Sequence, residues 1–330
     1  MVLQKDIAAK LGITQGLVSK VLSGRMGTTC IKPALRKKII RTANALGYMP
    51  NRNALGLFSG KRGTIAIFVS PWGVDGAEFT RSVLEGISDT LRPTMYHMWL
   101  SIFTQDRQFR QQTDMHELQN RVDGLLVGGV TRPDLLPLLR KLEKVGIPVV
   151  TFFAENHKIN KIPNASINFR AQGQLGTEHL IARGCRRIVQ FRKNLCRYDG
   201  YKEALRAASL TFDPRLIVEA NWGIEDGRHA TRELLDRNIA FDGIVAQSDY
   251  QAYGALQELL LRGIRVPEDV KLIGVDDAPL CHAGLVSLST VTSECYALGR
   301  EAAEMMSRKL AGEVVQSRNL QPRIIQRGSS

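Results

Sequence analysis

Apolar residues recur at helical spacing through the first fifth of the chain. Ile7, Ala8 and Leu11 fall on one face, Gly12 permits a tight turn, and Val18, Val21 and Leu22 form a second short stripe. The spacing predicts two helices joined by three or four residues, with the Thr14 hydroxyl placed to cap the second. A third stripe, Leu35, Ile39, Ala43 and Leu46, stops at Gly47 and closes a three-helix unit. From Thr64 the pattern changes to short β-rich runs alternating with helical periodicity. Strands are predicted at 64–69, 96–103, 124–128, 147–153, 187–191, 216–220, 243–247 and 270–275. Each is separated from the next by enough chain for a crossover helix. Continuously apolar strands in such an alternation predict parallel, doubly wound sheets, here two of them with a cleft between.

Composition adds little until charge is followed along the chain. With 330 residues, 44% apolar and 23% charged, the sequence suits two or three ordinary globular domains. Its net charge of +13 is concentrated: residues 1–63 hold twelve Lys or Arg against one acid, Asp6, and so carry +11. A small module this basic is attracted to a polyanion, with affinity that falls steeply as salt rises. A solubilising tail would lack the helical periodicity. Gln15, Gly16, Ser19 and Lys20 lie on the exposed side of the second helix, where they can enter a major groove. Gln can hold adenine through two hydrogen bonds, Lys can reach guanine or a phosphate, and Gly16 permits close approach. Arg36, Lys37, Lys38 and Arg41 on the third helix read equally as phosphate contacts or as a solvated face.

Other chemistries find no support. Cys30, Cys185, Cys196, Cys281 and Cys295 are scattered, without the spacing of a zinc or redox motif, and six histidines show no ligand spacing. The nucleotide-binding, nucleophile-elbow and zinc-protease signatures are missing, so no catalytic residue, metal or cofactor is expected. The sequence shows neither an apolar signal core nor an uncharged stretch of the ~18 residues that span a bilayer.

The segments DIAAKLGITQGLVSKVLSG, ALGYMPNRNALGL, VDGLLVGG, GIPVV, GIRVPEDVKLIGVDD and IIQRGSS together resemble the LacI/GalR family, over essentially the whole chain. The resemblance implies a helix-turn-helix headpiece at 1–48, a hinge helix and linker at 49–63, and a ligand-sensing and dimerisation domain at 64–330. The last is expected to have the type I periplasmic-binding-protein fold, an α/β core of two doubly wound subdomains. One would span about 64–164 plus 294–318, the other about 165–290 plus 319–330. Within the linker, Pro50 sets a boundary and Asn51 can cap a helix of about two turns, too short to stand alone, and Gly56 costs it roughly 1 kcal/mol more. The resemblance implies that this helix forms against its dimer mate on DNA, with Asn51 and Arg52 at the DNA and Leu57 wedged into the minor groove. The sequence departs from the family pattern at Leu3, Leu17, Lys20, Lys32 and Leu35, all in the headpiece, and at Asn168, where Asp is usual. The loop from Phe191 to Arg197 is shorter than in many relatives.

Ligands of such folds sit outside the carboxyl ends of the strands. By position, Ser70 and Trp72 after the first strand, Phe153 at the end of the fourth, Asp249 after GIVAQS and Asp276 at the end of VKLIGV face the expected cleft. Arg197 joins them because RYDGY matches the family's Arg-x-x-Gly-aromatic pattern, and Trp222 matches an aromatic position lining the cleft. Together these supply the bidentate polar groups and apolar plate that a sugar ring needs. Asp249 could instead cap the helix that follows it, Trp72 and Phe153 could be core aromatics, and Asp277 is better placed to secure the hinge. The expected protein is a cytoplasmic, nucleoid-associated repressor that binds a near-palindromic operator in double-stranded DNA as a homodimer and responds to a sugar-like effector. Because the sequence ends just after the expected QRGSS strand, a dimer is favoured over a tetramer. A sugar-binding module and an architectural DNA-binding protein are the competing readings.

Overall fold

The computed structural model describes residues 2–23, 26, 30–48, 61–69, 77–102, 115–129, 135–154 and 162–330. The chain divides into two compact units, 1–63 and 64–330.

In the first unit, α1 (Gln4–Leu11), α2 (Gln15–Ser23) and α3 (Pro33–Ala45) surround a small core of Ile7, Ala8, Val18, Val21, Ile39 and Ala43. Leu3 has no side chain able to cap α1, and the Asp6 carboxylate accepts its N–H instead at 2.8 Å. Gly12 ends α1 in the left-handed region at φ 63°, where a side chain would be strained. The Thr14 hydroxyl accepts the Leu17 N–H at 3.3 Å and caps α2. Lys32 gives α3 no side-chain cap, but Pro33 begins the helix with its φ already set. The hinge helix expected within 49–63, with Asn51, Arg52 and Leu57, lies outside the described residues.

The second unit holds two six-stranded sheets. The first consists of β1 (Thr64–Val69), β2 (His97–Ile102), β3 (Gly124–Gly128), β4 (Val149–Phe152), β5 (Asn164–Ile167) and β11 (Arg318–Leu320), in the order β11-β5-β4-β3-β1-β2 and parallel throughout. The second consists of β6 (Ile188–Arg192), β7 (Ile217–Glu219), β8 (Gly243–Val245), β9 (Lys271–Asp276), β10 (Ser289–Thr292) and β12 (Ile324–Ile325). Its order is β12-β10-β9-β8-β6-β7, parallel but for the β10–β12 pair. The final strand is therefore Ile324–Ile325, earlier than the QRGSS segment expected.

Helices cover both faces of each sheet, which is why the strands read as unbroken apolar runs. In β1, Ile65 and Ile67 pack with α4 (Ala77–Leu91) and α11 (Cys295–Leu310), while Ala66 and Phe68 face Leu118 of α5 (Met115–Arg121) and Leu139 of α6 (Leu136–Lys144). In β6, Ile188 faces α7 (Phe169–Ala182) and α8 (Leu195–Ala207). Val189 and Phe191 on the other side face α9 (Ile224–Asp236) and α10 (Asp249–Leu261). Paired glycines bring helices into backbone contact: a methyl built at Gly200 of α8 would lie 2.0 Å from the Arg170 carbonyl oxygen of α7, and one at Gly299 of α11 would lie 2.0 Å from that of Val83 in α4.

The chain passes between the sheets three times, at Asn168, at Ser293–Glu294 and at 321–323. The boundaries expected at 164/165 and 318/319 therefore each cut a strand of the first sheet. β5 and β10 were not anticipated, because NASI and STVT carry hydroxyl and amide groups where a buried strand is usually aliphatic.

Candidate functional site

A cavity of about 460 Å³ opens between the carboxyl ends of the two sheets, where the three crossings lie. Its volume is within the ~300–1,000 Å³ usual for small-molecule sites.

Arg197 is its most constrained polar group. It sits in the first turn of α8, which starts where it does because the Asn194 side chain accepts the Arg197 backbone N–H at 3.0 Å. The Arg197 side chain is only 4% exposed. Nε donates to Gln172 Oε1 at 2.9 Å and Nη1 to the Gln247 carbonyl at 2.6 Å, which fixes the plane of the guanidinium. The Phe169 and Trp222 rings lie 5.5 and 5.6 Å from its central carbon. Burial lowers its pKa, against the pull of Asp276 and Asp249. Within the same motif, Gly200 permits the close α7–α8 approach, and the buried Tyr201 hydroxyl donates to the Ile188 carbonyl at 2.8 Å.

Asp276 ends β9 with φ 115° and lines the cavity. One carboxylate oxygen accepts from Ser293 Oγ at 2.5 Å and lies 3.9 Å from Arg197 Nη2. That gap exceeds a direct hydrogen bond and can admit a hydroxyl that accepts from the arginine and donates to the carboxylate. Burial raises the Asp276 pKa, opposed by Arg197 and Ser293.

Asp249 takes neither position proposed for it. It is fully buried and lies outside the described cavity wall, and the cap of α10 is Ser248, whose hydroxyl oxygen accepts the Gln251 N–H at 3.1 Å. The Asp249 carboxylate instead accepts from the Ala278 N–H at 2.7 Å and Thr290 Oγ1 at 2.6 Å, and so braces the segment that carries Asp276. Burial, with the neighbouring Asp276, pushes its pKa up to about 8. A place after a strand gave its depth in the fold but not the direction of its side chain. Asp277, expected at the hinge, accepts from Arg327 at 2.6 Å.

Phe153, Arg197, Trp222 and Asp276 therefore meet around one cavity. Phe153 adopts φ 53° and packs on Phe79 and Phe169, with ring centroids 4.4 and 5.1 Å away. It serves core and cavity together. Ser70 and Trp72 lie outside the described residues. Sequence reasoning missed Asn194, Phe169 and Phe79. An Asn three residues before Arg197 was a readable cap signal, whereas Phe169 follows the unanticipated β5. At the crossings, Glu294 accepts from Arg323 Nε at 2.9 Å and Thr292 Oγ1 at 2.9 Å.

In the other unit, Thr14, Gln15, Gly16 and Lys20 are exposed and Ser19 is half-buried, on or just before α2. Among the described residues no helix is long and apolar enough to cross a membrane, and no group of three His, Cys, Asp or Glu is placed to hold a metal.

A family described as a periplasmic binding protein-like domain matches residues 177–330. The HTH-type transcriptional regulator CelR of Thermobifida fusca is 28% identical over 323 residues, spanning 94% of this chain and 92% of its own. Among solved structures, a transcriptional regulator CelR–cellobiose complex aligns over 100% of both chains with a TM-score of 0.74 and 27% identity. A Lac repressor dimer bound to operator and the anti-inducer ONPF shares the fold, with a TM-score of 0.86 at 20% identity over 99% of this chain and 98% of that one.

Proposed function

We propose that this chain, a member of the LacI/GalR family of transcription regulators, is a ligand-responsive, sequence-specific DNA-binding repressor of carbohydrate-related genes. The observation that carries the reading is the joining, in one chain, of a strongly basic helix-turn-helix unit to a cavity in which a fixed guanidinium, a carboxylate and aromatic rings converge. Gln15, Ser19 and Lys20 read the major groove, with Gly16 allowing close approach and Thr14 holding the start of the helix. Asn51, Arg52 and Leu57 extend the contact into the minor groove when two copies pair on a near-palindromic operator. The relatives are transcriptional regulators, and no turnover of the effector is expected. The site of action is the cytoplasm, at the nucleoid.

The effector is a sugar or sugar derivative held by Arg197, Asp276, Trp222 and Phe153, with Asp249 bracing Asp276 from behind; Ser70 and Trp72, outside the described residues, are further candidates for contact with it. Its binding favours one disposition of the two sheets about their three crossings, and the difference in DNA affinity between dispositions is the output.

Selection of genomic fragments by the purified protein, at low and near-physiological salt and with and without sugars, tests the reading. Enrichment of a short near-palindrome that persists at the higher salt, and a shift in occupancy on adding one sugar, are the expected results. Indiscriminate binding that vanishes with salt would leave an architectural protein or a plain binding module as the better description.

A further inference from the structure

Gln172 lies in the first turn and a half of α7, is fully buried, and stands behind the cavity wall rather than in it. Burying a side-chain amide costs free energy unless both of its ends are hydrogen-bonded, and here both are. Oε1 accepts from Arg197 Nε at 2.9 Å, and Nε2 donates to the Thr292 carbonyl at 3.0 Å and to Ser293 Oγ at 2.8 Å. Its partners fix which way the amide points: a guanidinium only donates and a carbonyl only accepts, so the oxygen must face Arg197. Ser293 Oγ receives from Gln172 and donates in turn to Asp276 at 2.5 Å. The donors therefore run in one direction, from Arg197 to Gln172 to Ser293 to Asp276, and join the cavity's guanidinium to its carboxylate by a path behind the wall. Across the cavity the same two groups are 3.9 Å apart. Such a chain polarises along its length and is stiff when every member is bonded.

The same side chain meets the places where the chain changes sheets. α7 begins at the first crossing, and the Gln172 backbone N–H donates to the Asn168 carbonyl there at 3.1 Å. Thr292 and Ser293, which the Gln172 amide grips, lead into the second crossing. Thr292 also holds the third: its N–H donates to the Arg323 carbonyl at 2.9 Å, and the Arg323 N–H donates to Thr292 Oγ1 at 3.1 Å. A displacement of the second and third crossings relative to α7 must therefore strain the Gln172 hydrogen bonds, and those bonds hold Arg197 and, through Ser293, Asp276.

We propose that Gln172 is a positioning residue for the effector site: without touching the ligand, it sets how Arg197 and Asp276 stand to each other and ties both to the crossings, so that an effector seated between them alters the crossings and, through them, operator affinity. This rests on the effector-binding reading above and adds to it the side chain that carries the signal out of the cavity.

The test compares full-length wild type, Gln172→Met and Ser293→Ala, each checked by a melting curve. Methionine fills nearly the space of glutamine and makes none of these hydrogen bonds, so it separates positioning from packing. With isotope-labelled arginine, the Arg197 Nε–H resonance, assigned by its loss in Arg197→Lys, should exchange slowly with solvent in the wild type and in Ser293→Ala. In Gln172→Met it should exchange at least about 10-fold faster, as expected when a charged donor loses its acceptor. Operator affinity is then measured with and without saturating sugar, using whichever of glucose, galactose, cellobiose, lactose and ribose changes wild-type affinity most. Both substitutions should shrink that change by about 5-fold or more. An unchanged Arg197 resonance in Gln172→Met, or a full response to sugar in either variant, overturns the proposal. Should Gln172→Met fail to fold, Ser293→Ala decides alone: a weakened response with the Arg197 resonance retained supports the link, and a full response breaks it. If none of the sugars acts on the wild type, the effector reading fails by itself, and the arginine resonance still decides whether Gln172 holds Arg197 in place.

Discussion

The strand orders β2-β1-β3-β4-β5 and β7-β6-β8-β9-β10 are the same, and each half packs helices through paired glycines, yet the two halves divide the chemistry unequally. In the second half Gln172, Arg197, Gln247, Asp249, Gln251 and Thr290 are all 4% exposed or less and bonded to one another or to backbone. Among the described residues, the first half buries a smaller polar set, Thr151, Asn164 and Ser166, whose bonds close β4 and β5 against Pro163 and Ala154. Its main described contribution to the cavity is aromatic surface, Phe79 and Phe153. Among the described residues, directional groups therefore come from one side and apolar surface from the other. A buried polar network is stiff when fully satisfied and costly when broken, so placing it in one half keeps the hydrogen-bonding groups in register while the other half can move.

Exchanging one residue from each side should expose that division most strongly. Arg197→Ala leaves Gln172 Oε1 and the Gln247 carbonyl without their donor and Asp276 without its cation, so effector affinity should fall by on the order of 100-fold or more. Phe153→Ala removes an apolar plate and should cost only about 10-fold. Titration with the effector, alongside operator binding to confirm an intact protein, checks both. Equal losses would mean that the two walls recognise the ligand alike.

The glycine pairs test what the halves have in common. Gly200→Ala and Gly299→Ala each bring a methyl to 2.0 Å from a carbonyl oxygen of the facing helix, which neither backbone can yield without the helices parting. Each should destabilise by about 1–3 kcal/mol in a denaturant melt. Only Gly200→Ala should also weaken effector binding, because α8 carries Arg197. A large cost at one glycine and none at the other would break the likeness between the halves.

Much of this was legible in the residues themselves. Runs such as TIAIFV and VKLIGV announce doubly covered strands, and Ile7, Val18 and Ile39 announce the three-helix core. Depth followed from position, so Phe153, Arg197, Trp222 and Asp276 converge. Facing direction did not follow, because the residue after a strand can point to the cavity, as Asp276 does, or beneath it, as Asp249 does. Nor could local pattern reveal β10, whose Thr290 is polar because it must donate to Asp249 across 41 residues of sequence.

That buried carboxylate gives the second half a pH response with no counterpart among the described polar groups of β4 and β5. Asp249 ionises near its ordinary value of about 3.9 when unfolded and at about 8 when folded. Between those values the folded state keeps a proton that the unfolded state has lost. Its contribution to stability is complete below about pH 4 and lost as pH rises through about 8. Urea midpoints of the wild type should therefore decline from pH 5 to pH 8.5, and Asp249→Asn should flatten much of that slope, Asp276 supplying a remainder of the same sign. An unchanged slope would place the response elsewhere.

The smallest effect expected separates the helix starts on the two sides of the cavity. The Asn194 side chain accepts the Arg197 N–H, and its own backbone N–H donates to Gln247 Oε1 at 2.6 Å. Asn194→Ala removes a cap and should cost about 1 kcal/mol of stability. Glu294, at the start of α11, makes no cap bond with its side chain and accepts from Thr292 and Arg323 instead. Glu294→Gln keeps an acceptor oxygen there and should change stability by less than about 0.5 kcal/mol. The contrast follows from what each side chain holds. Asn194 fixes the turn that aims Arg197 into the cavity, so its loss should also loosen the effector's grip, whereas Glu294 ties two crossings together and leaves the recognition groups where they are. Comparable losses of stability from both substitutions would mean that the crossing contacts bear as much of the fold as the caps do.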